Sequence, residues 1–319
     1  MNEGEWNNNF LELFSGIGGL RMGFRKYIKS CTSYDMNENA NQVYKLNFGE
    51  SPKNNSITSL NEKDVMGFGT WLLSPNCQPF TRGGNELDDQ DYRTKPFLKI
   101  IELLHNLKSN PRRIFVENVA QFYGSRTYVR LRDVLLSKGY TIQPIITSPH
   151  QIGIPNRRVR CYILAWQDTP IELDVIEGPL DSDVRAVINL RSFIGNDDLG
   201  DLVQKAWLLK YPNYRFDVVS LDCNHSSTFT KSYGSKHLKG SGSLLGDYCT
   251  HLCGNDSGIE HTINSNPRFM SPEQLLLIAG FPRSFDMGNS LTTKQKCALI
   301  GNSVNVKVIE YLADFIFTK

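Results

Sequence analysis

The 319-residue chain has no apolar run approaching the length of a bilayer crossing, so no membrane contact is expected. Its first residues, "MNEGEWNNN", are acidic and polar and lack the apolar core of a signal peptide. An intracellular protein, cytoplasmic or nuclear, is expected from this. No charge sign dominates: 35 Lys and Arg face 33 Asp and Glu, a formal net of +2. That excludes a generic polyanion binder, and any nucleic-acid contact must come from a local basic patch. Seven cysteines, an odd number scattered over a long chain, do not form a disulfide framework, and free thiols are expected. Repeats and low-complexity tracts are missing too. Hydrophobic residues still make up 40%, enough for one large domain, or one large and one small.

The first half alternates strand-like and helix-like segments. Strands are expected at 10–14, 31–35, 70–74, 112–118 and 158–166, and helices at 20–29, 37–48, 94–108 and 128–139. Such alternation implies an α/β fold, a mostly parallel sheet with helices on both faces. From about residue 180 it stops, and residues 195–264 are rich in Gly, Ser, Asn and Asp with short strands at most. A small domain is expected over 180–264, inserted between a main-domain part at 1–179 and another at 265–319. Helical patterning returns at 271–281, where Ser271 and Pro272 suit an N-cap and first helical residue, and ends with 304–317.

"LFSGIGGLRMGF" follows the first strand and opens a helix. Gly16, Gly18 and Gly19 permit a tight turn and close approach of a ligand. Arg21 breaks the G-x-G-x-x-G spacing, so the dinucleotide fingerprint fails. Asp35 ends the second strand, where an acid typically accepts from a ribose diol. An adenosine-containing ligand without a pyrophosphate is implied, and S-adenosylmethionine fits. A plain structural turn with a capping Asp would look the same.

Three further features lie at strand ends: Cys77 in "SPNCQPFTRGG" (74–84) follows one strand, Glu117 in "ENV" (117–119) another, and the arginines of "NRRVR" (156–160) open a third. In a parallel sheet such positions converge on one crevice. Taken singly, Cys77 reads as a packing thiol, Glu117 as a surface carboxylate and the arginines as a solvated strand edge. Taken together they suit methylation of cytosine carbon-5. A thiolate adds to carbon-6, and a protonated carboxyl donates to N3. Arg158 and Arg160 alternate with Val159, so on a strand both would point to one face and hold the acid, the base carbonyl or a phosphate.

With these motifs the chain resembles the cytosine carbon-5 methyltransferase family along nearly its whole length. "FSGIGG" matches the cofactor loop, "PNCQPF" the nucleophile loop, "ENV" the acid loop, "NRRVR" the Q-x-R-x-R motif and "GNSVNVKVI" (301–309) the late cofactor motif. The resemblance implies a class I S-adenosylmethionine-dependent, Rossmann-like domain carrying a small target-recognition domain. It assigns Cys77 as nucleophile, Glu117 as acid, and Arg158 and Arg160 as their catalytic partners. It places Phe14, Ser15, Gly16, Gly18, Asp35, Met36, Ile57, Pro75, Asn302, Ser303 and Val304 around the cofactor. "YDMNENANQVYKLNF", "SPHQIGIPNRRVRCYILA" and "TFTKSYGSKHLKGSGSLL" further resemble the small eukaryotic branch that methylates cytosine 38 of aspartate tRNA. That implies a monomer with Gln78, Thr81, Arg82, Thr228, Phe229, Thr230, Lys231 and Tyr233 at the substrate. The chain departs from the family pattern at three places. Asn76 replaces proline before the cysteine and is expected to loosen the loop. Asn156 stands where Gln is usual, and Thr228 where that branch carries Cys.

Residues 203–240 hold six Lys or Arg against two Asp, with Tyr211, Tyr214 and Tyr233 interleaved, a pattern that suits a nucleic-acid face. The acidic "ELDDQD" (86–91) would repel a backbone lying on it. No element suited to reading a major groove is evident, which favours structured RNA with unstacked loop bases. A DNA cytosine methyltransferase and a non-catalytic RNA-binding homologue stand as alternatives. Cys223, His225, His237, Cys249, His251 and Cys253 cluster in the small domain, and "CTHLC" has a spacing known for zinc. The resemblance implies no metal, and none is expected. Cys31, Cys161 and Cys297 lie in apolar segments and read as core.

Overall fold

Phe10, Leu11 and Leu13 form an apolar run that fits a strand buried on both faces, and they make β1 (Asn9–Leu13). The computed structural model describes residues 8–81, 87–179, 188–195, 199–250 and 258–319. Two compact units divide the chain. One comprises Met1–Thr147, Val159–Leu180 and Val308–Lys319, the other Ser148–Arg158 and Asp181–Lys307. The second unit thus takes residues 265–307 and a short earlier segment, beyond the 180–264 span where the composition changes.

In the first unit β1, β2 (Ser30–Tyr34), β3 (Thr70–Leu73) and β4 (Arg113–Val119) pair in parallel. β5 (Tyr140–Thr147), β6 (Arg160–Gln167), β7 (Ile171–Glu172) and β8 (Ile176–Glu177) complete the sheet, with order β2-β1-β3-β4-β6-β5-β7 and β8 also on β5. β6 runs antiparallel to both β4 and β5. The order reverses direction between β1 and β3, so the loops after those strands flank the topological switch point where open sheets bind ligands.

Period-two alternation assigns the faces. Leu11, Leu13, Trp71, Leu73, Ile114 and Val116 share a core with residues of α4 (Lys95–Asn106) and α5 (Arg126–Ser137). Phe10 and Phe115 face the other way, toward α1 (Gly19–Phe24) and the end of the C-terminal helix α11 (Val306–Phe317). Two shorter elements, α2 (Glu38–Phe48) and α3 (Glu62–Val65), start on Asn37 and Asn61, whose side chains accept from the first-turn amides. α1 ends sooner than its periodicity predicts, because Tyr27 N closes a tighter turn on Phe24 O at 2.8 Å.

The second unit holds α6 (Leu190–Ile194), β9 (Leu199–Leu202), α7 (Lys205–Leu208), β10 (Val218–Val219), β11 (Leu244–Leu245), α8 (Ile259–Asn264), β12 (Arg268–Met270), α9 (Pro272–Ile278) and α10 (Thr293–Gly301). Its strands are short, as the composition predicts, and form one sheet ordered β10-β11-β12-β9. Ser271 caps α9 with Pro272 at its first turn, as expected from sequence.

Candidate active site

The loop after β1 is set by backbone geometry. Phe14 has φ 60°, and Gly16 and Gly18 have φ 52° and 86°. A positive φ at Phe14 is a strain that L residues adopt mainly where the surroundings impose it. A Cβ on Gly18 would lie 2.2 Å from Phe48 Cε2, so glycine is required there by packing. A Cβ on Gly16 would meet nothing within 4 Å, which leaves room for a ligand against that backbone. The Gly16 amide donates to Asp35 Oδ2 at 2.7 Å, and the Asn37 amide to Asp35 Oδ1 at 2.8 Å. Burial pushes the Asp35 carboxyl up, while these amides and that of Met36 pull it down. The acid is oriented by the loop, with lone pairs left for a diol. Ser15, Ile57 and Pro75 are buried nearby in the chain's first unit, whereas Met36 is exposed. Asn302, Ser303 and Val304 follow α10 in the second unit, and Val304 is buried.

Cys77 follows β3. Of the described cysteines it is the one that is not buried. Burial pushes the Cys161 thiol up to about 12 and the Cys297 thiol to about 11, and it raises Cys31 as well. Those three are packing thiols, as expected. Asn76 makes a bond that a proline could not: its Oδ1 accepts the Gln78 amide at 3.0 Å. The Cys77 carbonyl accepts from Phe80 N at 3.0 Å, and the Thr81 hydroxyl donates to Gln78 O at 3.2 Å. Arg82 lies outside the described residues.

Glu117, on β4, is buried and held at both oxygens. Arg160 Nε stands 3.5 Å from Oε1, and Ser74 Oγ donates to Oε2 at 2.9 Å. Asn118 Nδ2 donates to Pro75 O at 3.1 Å and ties the acid strand to the nucleophile loop. Sequence reasoning missed Ser74 and Asn118. Ser74 is the first residue past β3, a position the strand ending could have flagged.

Arg158 is a correction. The strand starts at Arg160, not Arg158, so alternation does not put both arginines on one face. Arg158 belongs to the second unit, where Nη2 donates to Ser303 O at 2.5 Å and Nη1 to Phe229 O at 3.3 Å. It is a tether between backbone carbonyls, while Arg160 partners the acid. Asn156, 3% exposed, uses its amide on Ser226 Oγ at 3.1 Å and Ser227 O at 3.0 Å. Its shorter reach still closes a bond inside the unit.

Of the expected substrate contacts in the second unit, Thr228 donates to Arg157 O at 2.8 Å, Thr230 donates weakly to Ser241 O, and Lys231 is exposed. Tyr233 is a correction. It is 0% exposed, donates to Ser243 O and accepts from Met270 N, which makes it a core residue. Phe229 is buried against its ring at 4.9 Å. The acidic stretch is also not a bare negative patch. Asp89 pairs with Arg126 and Arg130, and Asp91 with Arg93. Among the described residues no group of three His, Cys, Asp or Glu could hold a metal, and His251 and Cys253 lie outside them.

The chain matches the C-5 cytosine-specific DNA methylase family over residues 8–318. It is 34% identical to the tRNA (cytosine(38)-C(5))-methyltransferase of Schizosaccharomyces pombe, over 95% of this chain and 94% of that protein. It is 30% identical to the DNA (cytosine-5)-methyltransferase of Dictyostelium discoideum, over 95% of this chain and 92% of that one. Its structure is similar to the crystal structure of the S. pombe Dnmt2 methyltransferase, with a TM-score of 0.82 at 29% identity, covering 97% and 98% of the two chains. Sheet, motif order and these matches agree that the chain belongs to the C-5 cytosine-specific DNA methylases, cytosine-5 methyltransferases of the class I S-adenosylmethionine-dependent fold.

Proposed function

We propose that the protein methylates carbon-5 of cytosine 38 in the anticodon loop of aspartate tRNA, with Cys77 as nucleophile. The observation that supports this reading is a partly exposed thiol in the loop after β3 and, on the neighbouring strand β4, a buried carboxyl held by Ser74 and Arg160. Relatives named as tRNA (cytosine(38)-C(5))-methyltransferases support the substrate. The name of the Dictyostelium relative favours DNA as a second reading.

The Cys77 thiolate adds to carbon-6 of the base. Glu117 donates a proton to N3, so the electron pair reaches carbon-5 as in an enamine. Arg160 keeps Glu117 aimed at the ring. S-adenosylmethionine, when bound, supplies the electrophilic methyl group. Phe14, Ser15, Gly16, Gly18, Asp35, Met36, Ile57 and Pro75 of the first unit would hold it, and the open space beside Gly16 fits a ligand lying on that backbone. Loss of the carbon-5 proton to a base then expels the thiolate, the N3 proton returns to Glu117, and aromaticity is restored. Residues 1–179 and 265–319 act in this reading as the catalytic domain and 180–264 as the target-recognition domain of a monomer. In this reading Thr228, Thr230 and Lys231 of the second unit contact the RNA, as do Gln78 and Thr81.

The test is methyl transfer from labelled S-adenosylmethionine to aspartate tRNA transcript and to duplex DNA, with Cys77→Ala beside the parent. Incorporation into tRNA alone, abolished by the substitution, is expected. Equal or faster incorporation into DNA would replace the substrate and leave the chemistry standing.

A further inference from the structure

A nucleophile that must add to one face of a ring needs its sulfur in one place. Angstrom-scale misplacement of a reacting group costs about 100-fold in rate. The Cys77 loop has Pro75 and Pro79 with fixed φ, yet Asn76, Cys77 and Gln78 between them are free of proline. Polar bonds replace that constraint. Asn76 Oδ1 takes the Gln78 amide at 3.0 Å, closing an Asx turn around Cys77. Cys77 sits at φ −85° and ψ −15°, and its carbonyl is held by Phe80 N.

A second clamp acts on the neighbouring residue. Arg93 Nη1 donates to Gln78 Oε1 at 2.5 Å. The same guanidinium forks onto Asp91, Nε to Oδ1 at 2.9 Å and Nη2 to Oδ2 at 2.6 Å. Asp91 Oδ1 also accepts the Arg93 amide at 2.9 Å, and Asp91 is only 3% exposed. The Arg93 hydrogen bonds hold the Asp91 carboxyl down to about 2, so the carboxylate stays ionised. The guanidinium is therefore fixed, and its bond to Gln78 ties it to the residue that follows Cys77. Neither residue belongs to the motifs that mark the family resemblance.

We propose that Asn76 and Arg93 are the positioning residues of the nucleophile loop: Asn76 fixes the backbone at Cys77 in place of a proline, and Arg93, itself held by Asp91, latches Gln78 and so brings its guanidinium to the residue next to the nucleophile. The catalytic meaning of this arrangement rests on Cys77 being the nucleophile, whereas the loop geometry does not.

Two readouts separate these layers. The first is the rate of Cys77 alkylation by iodoacetamide across pH, followed by peptide mapping with Cys77→Ser as the blank. It needs neither RNA nor cofactor. Arg93→Gln is expected to move the alkylation midpoint up by about half a unit or more, and Arg93→Lys to move it less. The second is single-turnover trapping on 5-fluorocytosine-substituted aspartate tRNA transcript with S-adenosylmethionine, alongside the Kd for the transcript. Asn76→Ala is expected to slow trapping about 10-fold with Kd unchanged, and Asn76→Pro to restore it to within about twofold.

The proposal is overturned if Arg93→Gln leaves the alkylation profile in place and only weakens transcript binding, since Arg93 is then a substrate contact. It is equally overturned if Asn76→Ala traps at the parent rate, or if Asn76→Pro is as slow as Asn76→Ala. A parent protein that alkylates as expected but never traps RNA would remove the methyl-transfer reading and leave the two clamps as devices that tune the thiol.

Discussion

Glu12 is a carboxyl of the first unit whose ionised form is held at a cost. It lies on β1 with 0% exposure, accepts the Tyr44 hydroxyl at 2.7 Å and the Arg21 amide at 3.1 Å. Burial outweighs these bonds and the nearby Arg21, pushing its carboxyl up from 4.5 to about 7. A folded pKa above the unfolded one means that stability from this group is fully present below about pH 4.5. It is lost as pH rises through about 7. The loss amounts to about 3 kcal/mol by pH 8. Glu12→Gln keeps an acceptor and removes the charge. Urea unfolding should therefore find the variant near the parent at pH 4.5 and more stable than the parent at pH 8. A parallel pH dependence in both proteins would show that Glu12 stays ionised in the fold.

At the scale of elements, α5 shows how a segment can be capped from elsewhere in the chain. Ser125 accepts the Tyr128 amide, while Asp88 takes the amides of Arg126 at 2.6 Å and Thr127 at 3.2 Å. Two carboxylates, Asp88 and Asp89, thus meet the positive end of a 12-residue helix. Asp88→Ala should cost about 1–2 kcal/mol in urea unfolding. Asp88→Asn should recover part of that, and equal losses in both variants would point to the charge alone. This latch was not legible in sequence, because the two partners are separated by 38 residues. What was legible is local: β1 to β4, α2, α4 and α9 follow from apolar runs, helical spacing and caps. β5 was missed because Gln143 and Pro144 interrupt its apolar pattern. The sheet tolerates Pro144, since β7 pairs at Thr141 and Ile142 and β8 at Ile145 and Ile146, leaving no parallel partner at the proline itself. The placement of Arg158 on a strand with Arg160 failed for a related reason: alternation was read two residues before the strand begins.

For the whole molecule, charge is the property that composition hides. Net +2 conceals a second-unit segment, 203–240, whose six cations are all exposed. Lys239 lies 5.6 Å over the ring of Tyr214, the kind of aromatic–cation pairing that suits a nucleic-acid face. Replacing Lys210, Lys231 and Lys236 by Gln should flatten the log Kd against log salt plot for tRNA transcript by about 2. A slope unchanged by the triple substitution would move the RNA face to another part of the protein. The site motifs were readable because five short signatures kept their order. The buried state of Tyr233 was not, since its hydroxyl partners Ser243 and Met270 carry no signature of their own.

The last helix has a consequence for how the chain is made. Phe317 stacks on Tyr27 at 4.0 Å and on Phe10 at 6.0 Å, and Arg113 Nε donates to Ile316 O at 3.1 Å. One face of the first strand is therefore covered by Phe24 of α1 early and completed only by residues beyond 306. During synthesis the nascent sheet would keep part of this aromatic face exposed until those residues emerge, a state open to association with other chains.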